Sequence, residues 1–332
     1  MAYHHCVKVL LRYLDPFIVS ILAILVIGIL VPIPAQWIDV LTIMGTVAVM
    51  ILFLVYGMRL RTSEIIEGLK NLKLQASVLA STFLVFPILG ALTEPLFRPW
   101  LGATFALGLL YLTLLPSTVQ SSISFTSIAG GNVAGAVCAA TISNILGMAL
   151  TPILVMIIMG ASTGVGWGSI ADVLVKLLIP FIIGQLLQPK LGSVVRANKW
   201  LTKTVDRGTI LIVVASSVAG ATARGLWSTL TWSDAIGLVI ASGILLAIMM
   251  TASWKAGHLL KMNRGDNIAL LMCGSKKSLA TGLPMAAIIF PPHIVAAVTV
   301  PVLVFHQLQL MAAAVIAKRL AASTEQTDEN TW

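Results

Sequence analysis

Apolar runs of about twenty residues recur from one end of this 332-residue sequence to the other. A run of that length crosses the ~30 Å hydrocarbon core of a bilayer as a helix. Inside lipid, only helices and closed barrels satisfy every main-chain polar group. Ten such runs are predicted, at about 16–33, 40–58, 74–92, 100–129, 132–159, 170–187, 209–223, 232–259, 267–290 and 293–317. Only 10% of the residues are charged, against roughly 25% in a soluble domain. The chain therefore reads as an all-α membrane protein of about ten transmembrane helices, partnered by the lipid bilayer. No segment outside the runs is long enough to fold alone.

The formal charge of +9 does not point to nucleic acid, because the basic residues sit in short loops between apolar runs. One alternating set of loops and termini holds sixteen lysines and arginines, from Lys8 and Arg12 through Lys190–Arg207 to Lys318 and Arg319. The opposite set holds only Arg98 and Arg224. Basic loops stay in the cytoplasm, so both termini are expected there, in the cytoplasmic membrane. An even number of spans satisfies that orientation. The first run lacks a small-residue cleavage site and is read as a retained helix. Cys6, Cys138 and Cys273 have no metal-ligand spacing, and Cys138 and Cys273 lie in apolar runs as packed thiols.

Two runs are interrupted. Lys276 and Lys277 sit inside the ninth run, flanked by Gly274, Gly282 and Pro284. A charge at bilayer depth costs at least ~2.5–3.5 kcal/mol on insertion scales and marks a solute or ion pathway. Broken backbone at that depth is tolerated where protein buries it or where it lines a cavity. The fourth run breaks near Pro116. A shift of 158 places Pro116 on Gly274 and Ser117 on Ser275, and each interrupted run is followed by a tight turn, Gly130-Gly131 or Pro291-Pro292. Five spans per half is odd, so the halves, 1–159 and 160–332, are expected as inverted repeats. Paired broken segments point to a transporter's midplane site.

The lysines bind an anion or supply the charge of a missing cation. Alternatively, they snorkel to an interface. Consecutive helical residues point ~100° apart, so one of the two is expected to face the site. Ser117, Thr118, Gln120, Ser121 and Ser122 read as a polar lining opposite them, or as small residues packing helices. Ser275, Ser278 and Thr281 join this set from the ninth run. Asn132 is either a helix cap after Gly131 or a site residue. Thr141, Ser143 and Asn144 on the fifth run, and His306, Gln307 and Gln309 on the tenth, complete the polar positions; of these, Thr141, Asn144 and Gln307 are taken as site candidates. Gly160-Ala161-Ser162-Thr163-Gly164 matches a hydrolase pattern without the strand–turn–helix context such a nucleophile needs. No enzyme is expected.

The motif Pro116-Ser117-Thr118-Val119-Gln120-Ser121-Ser122, with Gly131-Asn132-Val133-Ala134 and Leu150-Thr151-Pro152, resembles the bile acid:sodium symporter superfamily. The run from Gly274 to Pro284 resembles its divergent branch of proteins named as sodium-dependent transporters. The resemblance implies a ten-helix fold in which spans 3–5 and 8–10 form a core, spans 1, 2, 6 and 7 form a panel, and spans four and nine cross where they unwind. It also implies sodium symport. Sodium-coupled members carry Glu-x-Gly-x-Gln-Asn where this chain has Met272-Cys273-Gly274-Ser275-Lys276-Lys277. They carry Ser-Asn where it has Ser122-Ile123, and their hydroxyl ligands fall on Ala136 and Ala140. These departures argue that the ion is absent, replaced by a lysine, or replaced by a proton. No other cofactor or metal is expected. The expected function is secondary transport of a small organic anion by alternating access. The alternative is a non-transporting regulator or ligand sensor on a transporter fold.

Overall fold

The computed structural model describes residues 16–31, 33–61, 71–163, 167–223, 225 and 231–329. Helices make up its regular structure, with no strand among the described residues. They are α1 (Pro16–Leu30), α2 (Ala35–Arg59), α3 (Leu72–Ala80), α4 (Phe86–Thr113), α5 (Gln120–Ile128), α6 (Val133–Thr163), α7 (Trp167–Ala197), α8 (Lys199–Ala223), α9 (Trp232–Leu259), α10 (Arg264–Gly274), α11 (Leu279–Ile289) and α12 (Pro292–Glu329). A π-helical turn, Ser81–Val85, joins α3 to α4.

Seven segments among the described residues are long and apolar enough to cross a membrane, against ten expected runs. The difference has local causes. The first helix is only fifteen residues long. The third run and the first part of the fourth form one apolar stretch from Leu72 to Thr113, but as two helices that meet at a kink rather than as one span. That stretch bends at Gly102, whose φ of 71° and ψ of 164° lie where a side chain is strongly disfavoured. The fourth and ninth runs are each split into two short helices. The seventh run begins at Lys199 rather than Thr209, because α8 carries two polar turns ahead of its apolar part.

Local chemistry sets the helix ends. Asn71, Thr231, Asn263 and Ser278 cap α3, α9, α10 and α11 by accepting from backbone amides, and Thr231 and Asp234 form a full capping box. Helix α5 ends at Gly130, with φ of 68°; Gly131 N donates to Thr126 O and Gly130 N to Ser127 O. That is a Schellman turn, and it uses up the last carbonyls of the helix. The prolines inside α6, α7 and α12 (Pro152, Pro180, Pro189, Pro301) are of the kind membrane helices accommodate.

Helix α2 lies along α7 and also meets α8, which packs on α1. Gly57 and Gly184 face each other there, and a Cβ on either would run into the other helix's main chain. Helices α3, α5, α6 and α10 form a second group of neighbours, and α12 packs on α4, α9 and α11. Ser162, the would-be nucleophile, sits in the last turn of α6, and Gly164 lies outside the described residues. So do Cys6, Lys8, Arg12 and Arg224 of the charge and cysteine readings.

Candidate transport site

The two interrupted runs meet at their non-helical stretches, 114–119 and 275–278. Ser278 N donates to Pro116 O at 2.9 Å. Ser117 Oγ donates to Cys273 O at 2.6 Å, and Ser122 Oγ to Met272 O at 2.8 Å. These hydroxyls take up carbonyls that α10 leaves free when it stops at Gly274. Helix α6 holds the first break from behind. Ser143 Oγ accepts from Ser117 N, Asn144 Nδ2 donates to Ser117 O, and Thr151 Oγ1 donates to Leu114 O.

The hydroxyls of the first break form a directed chain. Ser122 gives its single proton to Met272 O, so the 2.8 Å contact with Thr118 Oγ1 requires Thr118 to donate. Thr118 has then used its proton, and the 2.7 Å contact with Ser121 Oγ requires Ser121 to donate. The order is Ser121 to Thr118 to Ser122 to Met272 O.

Both lysines are fully buried, at 0% and 1% relative exposure, whereas a snorkelling lysine would leave its amine exposed. Both also lie in the break rather than on a helix, so the 100° rule does not decide between them. Lys277 Nζ donates to Thr82 O (2.8 Å), Thr113 O (2.7 Å) and Leu115 O (2.7 Å) and stands 4.2 Å above the Phe86 ring. An ammonium has three donors, so Lys277 is complete. Its acceptors come from the π turn and from the end of α4, where the ladder is interrupted. Lys276 Nζ makes one long hydrogen bond, 3.4 Å to Ser121 O, and lies 4.4 Å from the Phe125 ring centroid. Two of its donors have no hydrogen-bond partner among the described residues.

Gln309 of α12 secures the second break. Its Oε1 accepts from Lys277 N at 2.8 Å, its Nε2 donates to Lys277 O at 2.9 Å, and Nε2 also meets His306 Nδ1 at 2.8 Å. Ser275 Oγ donates back to Leu271 O, and Ser278 Oγ caps α11 through Thr281 N. Thr281 Oγ1 is buried and without a hydrogen-bond partner among the described residues.

Four candidates stand apart from this cluster. Gln120 is exposed at the first residue of α5. Thr141 and Gln307 are half-buried and make no hydrogen bond to either break. Asn132 caps α6 by accepting from Gly135 N and donates to Asp266 Oδ1 at 2.6 Å. Asn71 and Asn263 donate to Asp266 Oδ2, so one carboxylate ties together the capping residues of α3, α6 and α10. The capping reading of Asn132 is the one this geometry fits. Two groups went unremarked in the sequence: the carbonyls of Thr82, Thr113 and Leu115, and the rings of Phe86 and Phe125. Gln309 is legible in the sequence as an amide in an apolar run, but not as a site candidate.

The model of the SBF-like CPA transporter family matches residues 15–322. The chain belongs to that family. It is 38% identical over 323 residues, 96% of each chain, to the Escherichia coli (strain K12) protein named "Putative symporter YfeH". It is 26% identical over 278 residues, 81% of this chain and 80% of the other, to Sodium/bile acid cotransporter 7 of Xenopus tropicalis. Membership bears out the resemblance to the bile acid:sodium symporter superfamily, and places the chain among multi-pass membrane transporters rather than enzymes.

Proposed function

We propose that this family member carries a small organic anion across the cytoplasmic membrane by alternating access, with Lys276 as its anion receptor and Lys277 as a built-in substitute for a coupling sodium ion. The carrying observation is the unequal saturation of two equally buried ammonium groups. A buried cation with unused donors attracts an anion, since leaving them unmatched is costly in low dielectric. Lys276 precedes the N-terminus of α11 and touches Ser121 in the first turn of α5. Both helix ends carry partial positive charge and free amides suited to a carboxylate or sulfonate. The relative's name, a sodium/bile acid cotransporter, agrees with an organic acid as cargo.

Lys277 argues against sodium. Three carbonyl oxygens converging on one cation resemble part of an alkali-ion shell, yet a tethered ammonium fills the position. Lys276 adds a second positive charge nearby, and Met272 stands where the resemblance places the glutamate of sodium-coupled members. The residues present do not fit a sodium ion.

The architecture belongs to the same reading. Helices α1, α2, α7 and α8 would form the panel, the rest the core, in two inverted five-helix halves with both termini cytoplasmic. Support comes from the neighbour groups and from α5 and α11, which start at Gln120 and Leu279, 159 positions apart against the 158 of the sequence match. The broken runs would cross at the bonded stretches, and the core would rock against the panel around them.

The test is uptake of labelled organic anions, taurocholate among them, into proteoliposomes with and without a sodium gradient. Sodium-independent uptake that falls at least tenfold in Lys276→Gln is expected. Uptake driven by sodium, or indifferent to Lys276→Gln, overturns the reading.

A further inference from the structure

The clamp on the second break tolerates only one protonation state of His306. Lys277 N–H is an obligatory donor and Lys277 C=O an obligatory acceptor. Together they fix the Gln309 amide, with Oε1 toward the N–H and Nε2 toward the carbonyl. The second hydrogen of Nε2 then points at His306 Nδ1, 2.8 Å away. Nδ1 must accept it, so His306 is neutral and carries its proton on Nε2. A proton added to Nδ1 would set N–H against N–H. Turning the Gln309 amide over relieves that contact but sets Oε1 against Lys277 O and Nε2 against Lys277 N–H. The Lys277 main chain also lies within hydrogen-bonding reach of the ring, so an imidazolium competes with Gln309 Nε2 for the Lys277 carbonyl and cannot keep the clamp closed as it stands.

We propose that His306 Nδ1 is the binding site of a coupling proton, and that its occupation unlatches Gln309 from the break that carries Lys276 and Lys277. The chemistry is a bare protonation: one N–H bond forms at Nδ1, the ring gains a positive charge, and the proton leaves the same atom on the other side of the cycle.

The charged surroundings give this proton a partner. Helix α12 packs against α4, α5, α8, α9 and α11. Helices α5 and α11 have no titratable side chain. On α4 these groups are Glu94, Arg98 and Tyr111, the last donating to Gly282 O. On α8 and α9 they lie toward the ends: Lys199, Lys203, Asp206 and Arg207, then Asp234, Lys255 and His258. The break itself brings the Lys276 ammonium within electrostatic reach of His306, while the Lys277 ammonium is tied to three carbonyls. A positive Lys276 opposes a second positive charge at His306. An anion seated on Lys276 cancels that opposition, so anion and proton favour each other's binding by the same factor. This step rests on the anion reading of Lys276 above. It makes the transporter a proton–anion symporter whose loaded and empty sites carry the same net charge.

Hydrogen exchange of the full chain in lipid nanodiscs tests the proposal without any substrate, following the Lys277 amide and correcting for the pH dependence of intrinsic exchange. In the native chain, protection of that amide should fall about tenfold or more between pH 8 and pH 5, since two main-chain bonds open together. His306→Asn places a non-titrating amide oxygen where Nδ1 stands. Its protection should be the same at both pH values. In Lys276→Gln the loss of protection should begin at higher pH. PH-independent exchange in the native chain, or unchanged pH-dependent exchange in His306→Asn, overturns the proton site. An unmoved onset in Lys276→Gln overturns the linkage. The anion reading fails separately, on uptake, if Lys276→Gln transports normally.

Discussion

Lys276 and Lys277 are neighbours in the chain and equally hidden from solvent, yet their surroundings differ in kind. Lys277 meets three carbonyl oxygens at 2.7–2.8 Å and is complete. Lys276 meets one carbonyl at 3.4 Å and an aromatic face. The first geometry is that of a structural cation, the second that of a receptor awaiting an opposite charge. Burial of a charge is therefore a poor guide to its role, and the count of unmatched donors is a better one. On the reading proposed above, the fixed charge that stabilises the broken helices and the charge available to a solute are carried by adjacent residues.

The largest way to break this contrast is Lys277→Ala. It orphans the carbonyls of Thr82, Thr113 and Leu115 at once. Each buried acceptor without a donor costs about 1–3 kcal/mol, so a loss of roughly 3 kcal/mol or more is expected. Thermal unfolding in detergent reads it. If Lys277 stands in for a cation, the variant should regain part of its stability with added sodium and the native chain should not. Equal sodium responses in the two would remove the substitution argument. Lys276→Gln forms the other half of the contrast, with uptake abolished but stability within about 1 kcal/mol of native, because only one long hydrogen bond is lost.

Gln309→Ala comes next. It leaves Lys277 N–H and C=O unpaired inside the bundle and frees His306 from its donor. A loss of about 2 kcal/mol is expected, together with exchange at the Lys277 amide that no longer depends on pH. Retained pH dependence in this variant would mean that the proton acts by another route.

Apolar periodicity and the two charged or proline-bearing interruptions made much of the site legible. The helix breaks at 114–119 and 275–278 fall where Pro116 and the Gly274 segment placed them. Ser117, Ser122 and Asn144 do face the breaks. What stayed hidden has a common physical origin. The partners of Lys277 are main-chain carbonyls, one of them freed by a π turn, and main-chain groups have no residue letter. The kink that separates the third and fourth runs at Gly102 was equally invisible, because a glycine inside an apolar run reads as packing until its φ is known. Asn132 and Gln120 lie outside the bonded cluster. A polar letter near a break is not thereby in it: Asn132 points to the Asp266 knot, and Gln120 to the surface.

The smallest effect separates two amides on one helix. Gln307 and Gln309 lie two residues apart on α12, so they project some 200° apart around it. One faces the break; the other is half-buried with no hydrogen bond to it. Removing a polar side chain that makes no buried hydrogen bond is expected to change stability by no more than about 0.5 kcal/mol. Gln307→Ala should therefore melt with the native chain and transport at a rate within about twofold of it, since a change of 0.5 kcal/mol corresponds to roughly that factor. A larger transport defect with unchanged melting would move the solute path to the Gln307 face of α12, away from Lys276, and with it the assignment of the receptor.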